Sequence, residues 1–167
     1  MEPASSINRL KESKVFRDWK KEHKETYLVH AFALKEGAHF SGWQIGYYIK
    51  EHDRVVTFFI DNEIKLSPEE EIFKQDRHIL RELDIDSVKI DAEQAIEEAL
   101  EYQKLSYPND KPNKTILILQ KLDRGIVYNI TFITAVFNTL NIKVGAESGE
   151  VIDHNFNSIL DMTRRLK

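Results

Sequence analysis

The 167-residue chain contains no cysteine, which removes disulfides, thiolate metal sites and a cysteine nucleophile from consideration. Glycine is scarce, with six residues scattered along the chain. No Gly-rich phosphate loop and no Gly-x-Ser-x-Gly elbow can be assembled from them. No apolar run approaches the length of a membrane span, and Met1-Glu2-Pro3-Ala4-Ser5-Ser6 lacks the basic-then-apolar order of a secretion signal. Together with the absent cysteines this gives the expectation of a soluble, cytoplasmic protein. Basic clustering is missing too. The net charge is −4, and the deficit sits in the middle, where residues 67–113 carry 13 acidic against 6 basic side chains. An acidic middle between near-neutral ends offers no broad basic surface, so no nucleic-acid partner is expected.

Six histidines are present, at positions 23, 30, 39, 52, 78 and 154. None forms the His-x-x-x-His or His-Glu-x-x-His spacing that puts two ligands on one helix face. Asp84-Ile85-Asp86 begins like a calcium loop, but Val88 stands where the next oxygen ligand is required. No metal, no cofactor and no catalytic set is therefore assigned, and the expectation is a protein that is not an enzyme.

What is present is alternation of helix and strand patterns. Ile7–His23 is helical in composition, but Leu10, Phe16 and Trp19 do not share one face, so a break is expected near Ser13. Ser6 or Ser13 would cap, with Ser13 starting a second helix that turns Val15, Phe16 and Trp19 inward. Tyr27–Leu34, Trp43–Ile49 and Val55–Ile60 read as strands, the last two as a hairpin around Glu51-His52-Asp53-Arg54. Ser67-Pro68-Glu69-Glu70-Glu71 has the composition of a helix start: a capping serine, proline at the first helical position and acids at the positive end of the dipole. Ile72, Ile79, Leu80 and Leu83 would form the buried face of that helix.

In the second half Asp91 and Gln94 have capping-box spacing, ahead of a helix whose narrow apolar face is Ala92, Ala95, Ile96, Ala99 and Leu100. Thr115–Leu122, Ile126–Phe137 and Leu140–Val144 follow as strands, joined by Asp123-Arg124-Gly125 and closed by Glu147-Ser148-Gly149. Beyond that turn, Asn155 or Asn157 would cap a last helix holding Phe156, Ile159, Leu160 and Thr163 on one side. The fold class is α+β. Two αβββ repeats are expected, their antiparallel sheets each covered by a helix, with one unit at 1–66, an acidic helical connector at 67–90 and a second unit at 91–167 ending in the C-terminal helix.

The order of helix and strand meander, closing on Val144-Gly145-Ala146-Glu147-Ser148-Gly149-Glu150-Val151, resembles the PepSY domain, a module related in fold to cystatins. Gly145 departs from the acidic residue expected before that turn. PepSY domains occur in propeptides of secreted metallopeptidases, so the resemblance implies a chaperone-like or inhibitory binding role.

Aromatics provide the candidate surface. Trp43, Ile45, Tyr47 and Ile49 share one face of their strand, and Gln44, Gly46, Tyr48 and Lys50 the other. Gly46 beside Tyr48 would leave a shallow surface open to a partner backbone. Phe40, Trp43, Tyr48 and His30 are the residues assigned to a candidate binding surface, for a protein or peptide partner. The competing reading is a small-molecule binder or enzyme with a cavity between helix and sheet, using His30, Tyr48 or Asp61. A third is a homo-oligomer formed through an exposed sheet edge.

Overall fold

The computed structural model describes residues 2–72 and 80–158. Among them are helices α1 (Pro3–Glu12), α2 (Lys14–Glu22) and α3 (Ala92–Ser106). The strands are β1 (Thr26–Glu36), β2 (His39–Phe40), β3 (Trp43–Ile49), β4 (Arg54–Ile60), β5 (Ile64–Leu66), β6 (Glu70–Glu71), β7 (Pro112–Leu122), β8 (Gly125–Thr134), β9 (Thr139–Gly145) and β10 (Val151–Asn157). The protein is α+β and mostly sheet. All ten strands join one antiparallel sheet, ordered β10-β9-β8-β7-β1-β3-β4-β5, with β2 added to β1 and β6 to β4. The sequence leaves open whether its antiparallel strands form joined or stacked sheets; the strands form a single sheet, closed at its centre by β1 against β7, with Ala31 opposite Leu119 and Ala33 opposite Leu117.

Register fixes which face each side chain takes. Ala31, Ala33, Ile45, Tyr47, Phe58, Leu117, Leu119, Tyr128, Ile130, Ile142 and Val144 stand on one face and are buried. All three helices pack there. Ile7 and Leu10 of α1, Phe16 and Trp19 of α2 and Ala92, Ala95, Ile96 and Ala99 of α3 belong to the same core. Under α2 the core is aromatic: Phe16 lies 5.1 Å from Tyr47 and 5.5 Å from Phe58, and Trp19 meets Phe58 edge-on at 5.2 Å. Alanines on α3 let its axis come close to β8 and β9. These side chains form one buried core between the helices and the sheet.

The helix signals behave as their chemistry requires. Ser13 ends α1 and caps α2, accepting a hydrogen bond from the Phe16 N–H at 3.1 Å. Asp91 accepts from the Gln94 N–H at 2.7 Å while the Gln94 side chain accepts from the Asp91 N–H at 2.9 Å, completing the capping box. Glu2 spans the two helical elements, its carboxylate accepting from the Ala92 N–H at 3.1 Å and so answering an orphan donor at the start of α3. Gly149 turns the chain into β10 with φ of +76°.

Four sequence expectations are corrected. Ser6 caps nothing: it lies inside α1, fully buried, and its hydroxyl has no hydrogen-bond partner among the described residues. Val15 points outward at 40% exposure, because the face of α2 that meets the sheet is set by Phe16 and Trp19. Ser67–Glu71 is not a helix. The Ser67 hydroxyl accepts from the Thr57 N–H at 2.9 Å and donates to the Pro68 carbonyl, and Glu70 and Glu71 pair with Val55 and Arg54. Ile72, Leu80 and Leu83 are not helical, while residues 73–79, Ile79 among them, lie outside the described residues. Finally, Val151–Asn157 is a strand along β9, so Asn155 pairs with Asn141 and caps no helix and Phe156 pairs with Leu140, while Asn157 ends the strand opposite Thr139. Residues 159–167 lie outside the described chain.

Candidate functional site

The face of the sheet opposite the helices carries two adjoining cavities. Its character changes along the strand order. Near the centre it presents Phe32, Leu34, Ile116 and Ile118, half-buried; towards β9 and β10 it turns polar, with Asn129, Thr131, Asn141 and Lys143. The Asn141 amide donates to Asn129 at 2.6 Å and to Thr131 at 2.8 Å, a ladder that satisfies these side chains across three strands.

At the β7–β8 turn end of this face lies a groove of about 720 Å³. Val29, Leu80, Val127 and Ile152 supply apolar lining. Val29 reaches this face because β1 changes register between Leu28 and His30, and it and Val127 lie buried in the floor at 3% and 1% exposure. Around this floor stand four cationic side chains, Arg81, Lys121, Arg124 and Lys143, against two acidic ones, Asp123 and Asp153. Arg81 binds Asp123 at 2.5 Å, and Lys143 binds Asp153 at 2.6 Å. Lys143 holds the Asp153 carboxyl below the usual carboxylate range, chiefly through that hydrogen bond. Both acids are thereby occupied, and Lys121 and Arg124, exposed on either side of Asp123, give the groove a positive rim in a chain of net charge −4.

A second cavity of about 410 Å³ adjoins it, with Leu80 and Gln120 lining both. His30, Phe32, Gln44, Ile118 and the acidic pair Glu70 and Glu71 line this one. His30 lies across Gly46: a Cβ at Gly46 would sit 2.2 Å from its Cε1. The space that glycine leaves is filled by the imidazole, so the shallow surface expected beside Tyr48 is closed. Burial lowers the His30 pKa, favouring the neutral ring.

The four residues assigned to a binding surface divide between the two faces. Trp43 is 1% exposed in the core, with the half-buried Phe40 ring 5.6 Å away. Tyr48 and His30 are half-buried on the opposite face. The Tyr48 hydroxyl donates to Asp53 at 2.7 Å, and this hydrogen bond is the main reason its pKa is pushed up to about 12. Asp61 is exposed at the β4–β5 turn and lines a separate cavity with Trp43 and Gln44. His30, Tyr48 and Asp61 therefore do not converge on one reacting centre.

One cluster has no counterpart in the sequence patterns. His23 at the end of α2, His52 in the β3–β4 turn and Glu69 before β6 gather with their ligating atoms all within 4.8 Å of one another. His52 Nδ1 lies 2.9 and 3.1 Å from the two Glu69 oxygens, and His23 Nε2 lies 3.8 Å from the nearer. These residues come from three elements, so no local spacing announces them.

Comparison with known proteins yields a fold likeness. No protein-family model matches the chain, and no curated protein matches it. A crystal structure from Clostridium difficile 630, described as a "putative lipoprotein", aligns over 86% of this chain and 90% of that one, with a TM-score of 0.56 and 17% identity. At that identity the likeness is one of fold. No helix among the described residues is long and apolar enough to cross a membrane.

Proposed function

We propose that the protein is a non-enzymatic binding module that holds an acidic peptide in the groove of the open sheet face. The observation that carries this is the groove itself: apolar floor, positive rim, and both of its acids already engaged, in a chain that is otherwise acidic. An extended peptide can bury side chains on the half-buried Leu80 and Ile152 while its carboxylates meet Lys121 and Arg124. No nucleophile–base pair lines the groove among the described residues, which favours binding over catalysis.

The PepSY resemblance belongs to the same reading, as a tandem αβββ protein with units at 1–66 and 91–167. Its support is the order of elements, each helical segment being followed by an antiparallel meander that runs outward from the β1–β7 pair. A cytoplasmic location is retained from composition. The lipoprotein description of the structural neighbour favours an extracytoplasmic one, and fractionation of the native source separates the two. A volume within the range of small-ligand pockets gives a second reading, a small organic anion in the same groove.

The test is titration of fluorescent Asp/Glu-rich peptides and of Lys-rich peptides of equal length, followed by anisotropy. The acidic set binds, weakens with added salt, and loses at least about 10-fold in affinity to the K121E/R124E variant. Equal affinity for both sets, or unchanged affinity in that variant, overturns the proposal. Competition by a small dicarboxylate at low concentration selects the second reading.

A further inference from the structure

We propose that His23, His52 and Glu69 form a binding site for one divalent transition-metal ion of the Zn²⁺ class, independent of the groove. The chemistry of the set is the first argument. Two imidazoles and one carboxylate are a donor combination used by three-ligand zinc sites and by facial sites for other first-row metals, which keep further positions open to water. With no cysteine in the chain, nitrogen and oxygen donors are what it can offer.

Geometry is the second argument. Ligands of a tetrahedral ion with bonds of about 2.1 Å lie roughly 3.4 Å apart. His52 Nδ1 at 2.9 Å and His23 Nε2 at 3.8 Å from the same Glu69 oxygen bracket that spacing, and all the ligating atoms lie within 4.8 Å of one another. Small side-chain rotations are enough to centre an ion between them.

Orientation is the third. His23 Nδ1 is 2.9 Å from the Trp19 carbonyl oxygen, so Nδ1 carries the proton and donates it, leaving the Nε2 lone pair free on the side of Glu69. This is the outer-shell bond that metal-bound histidines ordinarily make to fix tautomer and ring angle. The His23 ring is further held by stacking on Trp19 at 5.1 Å and 18°, and it meets the His52 ring edge-on at 5.9 Å. A surface ion pair between His52 and Glu69 alone would not require His23 to be aimed at the same carboxylate.

Placement gives the site a consequence. His23 ends α2, His52 sits on the β3–β4 turn and Glu69 precedes β6, so an ion would tie helix layer, sheet and connector together at one corner.

The experiment uses the full-length, tag-free protein titrated with Zn²⁺ by calorimetry and with Co²⁺ by visible absorption, alongside H23Q, H52Q, E69Q and, as a control away from the cluster, H39Q. The expected result is one ion per chain, with affinity lowered at least about 10-fold in each of the three cluster variants and unchanged in H39Q. Histidine ¹⁵N spectra of the unaltered protein then show Zn²⁺ shifting His23 Nε2 and His52 Nδ1. That readout decides the matter even where a variant fails to fold. Absence of saturable binding at millimolar Zn²⁺, equal affinity in all variants, or shifts confined to other histidines overturns the site. Peptide binding in the groove is measured separately, so the two proposals stand or fall apart.

Discussion

Replacing Gly46 with alanine isolates one contact at the centre of the open face. The added methyl would lie 2.2 Å from Cε1, 2.5 Å from Nε2 and 2.7 Å from Nδ1 of His30, well inside any real carbon contact. Gly46 is not among the glycines with positive φ, so backbone strain takes no part. At an unobstructed strand position the exchange would stabilise by about 0.4–1 kcal/mol, because alanine loses less freedom on folding. Here the imidazole must swing out or the strands must part, an overpacking cost of about 1–3 kcal/mol. The net expectation is destabilisation of about 1–2 kcal/mol. In a His30→Ala background the obstacle is gone, and the same G46A change should stabilise. Urea unfolding of the four proteins, read by circular dichroism at constant m, gives the coupling energy, expected near 2 kcal/mol. A G46A protein as stable as its parent, or a coupling within about 0.3 kcal/mol of zero, would refute the packing argument.

Three further expectations follow from individual side chains. Burial holds the His30 imidazole below its ordinary pKa of 6.5. The unfolded chain therefore takes up a proton that the folded one resists: His30 contributes stability above pH 6.5 that is lost as pH falls below it, and His30→Gln should flatten the urea midpoint between about pH 7.5 and 5.5. Asp91→Ala removes the acceptor for the Gln94 N–H and should cost about 1 kcal/mol, seen as a lowered Tm; an unchanged Tm would mean that α3 needs no cap. Ser6→Ala removes a buried hydroxyl, without a partner among the described residues, from a helix interior and should raise stability by about 0.5–1 kcal/mol, whereas a loss in urea unfolding would mean that the hydroxyl is satisfied.

The elements that sequence reasoning found are those whose signals are local. Ser13 and Asp91 cap helices because their partners, Phe16 and Gln94, lie within one turn. The β3–β4 hairpin is likewise written in adjacent residues. Where distant partners decide, local chemistry misleads. Ser67-Pro68-Glu69-Glu70-Glu71 satisfies every rule for a helix start, yet the Thr57 N–H and the open edge of β4 supply better partners for Ser67, Glu70 and Glu71. Asn155 looks like a cap, but β9 offers an unpaired edge and the chain takes it. The groove and the His23–His52–Glu69 cluster were out of reach for the same reason. Their residues are dispersed over elements that meet only once the sheet has formed, and no periodicity or spacing rule connects them.

The β1–β7 pair has a consequence for the order of events in folding. Most strand neighbours in this sheet are joined by short turns and can find each other early, whereas β1 must wait for a strand made much later in synthesis. Until β7 arrives, the nascent chain carries a long bare edge of Ala31, Phe32, Ala33 and Leu34, the kind of template that recruits other chains. Closure of that seam is a non-local step of high entropic cost. Crowding of unfinished chains, more than loss of any single contact afterwards, is therefore where this fold is most exposed to failure.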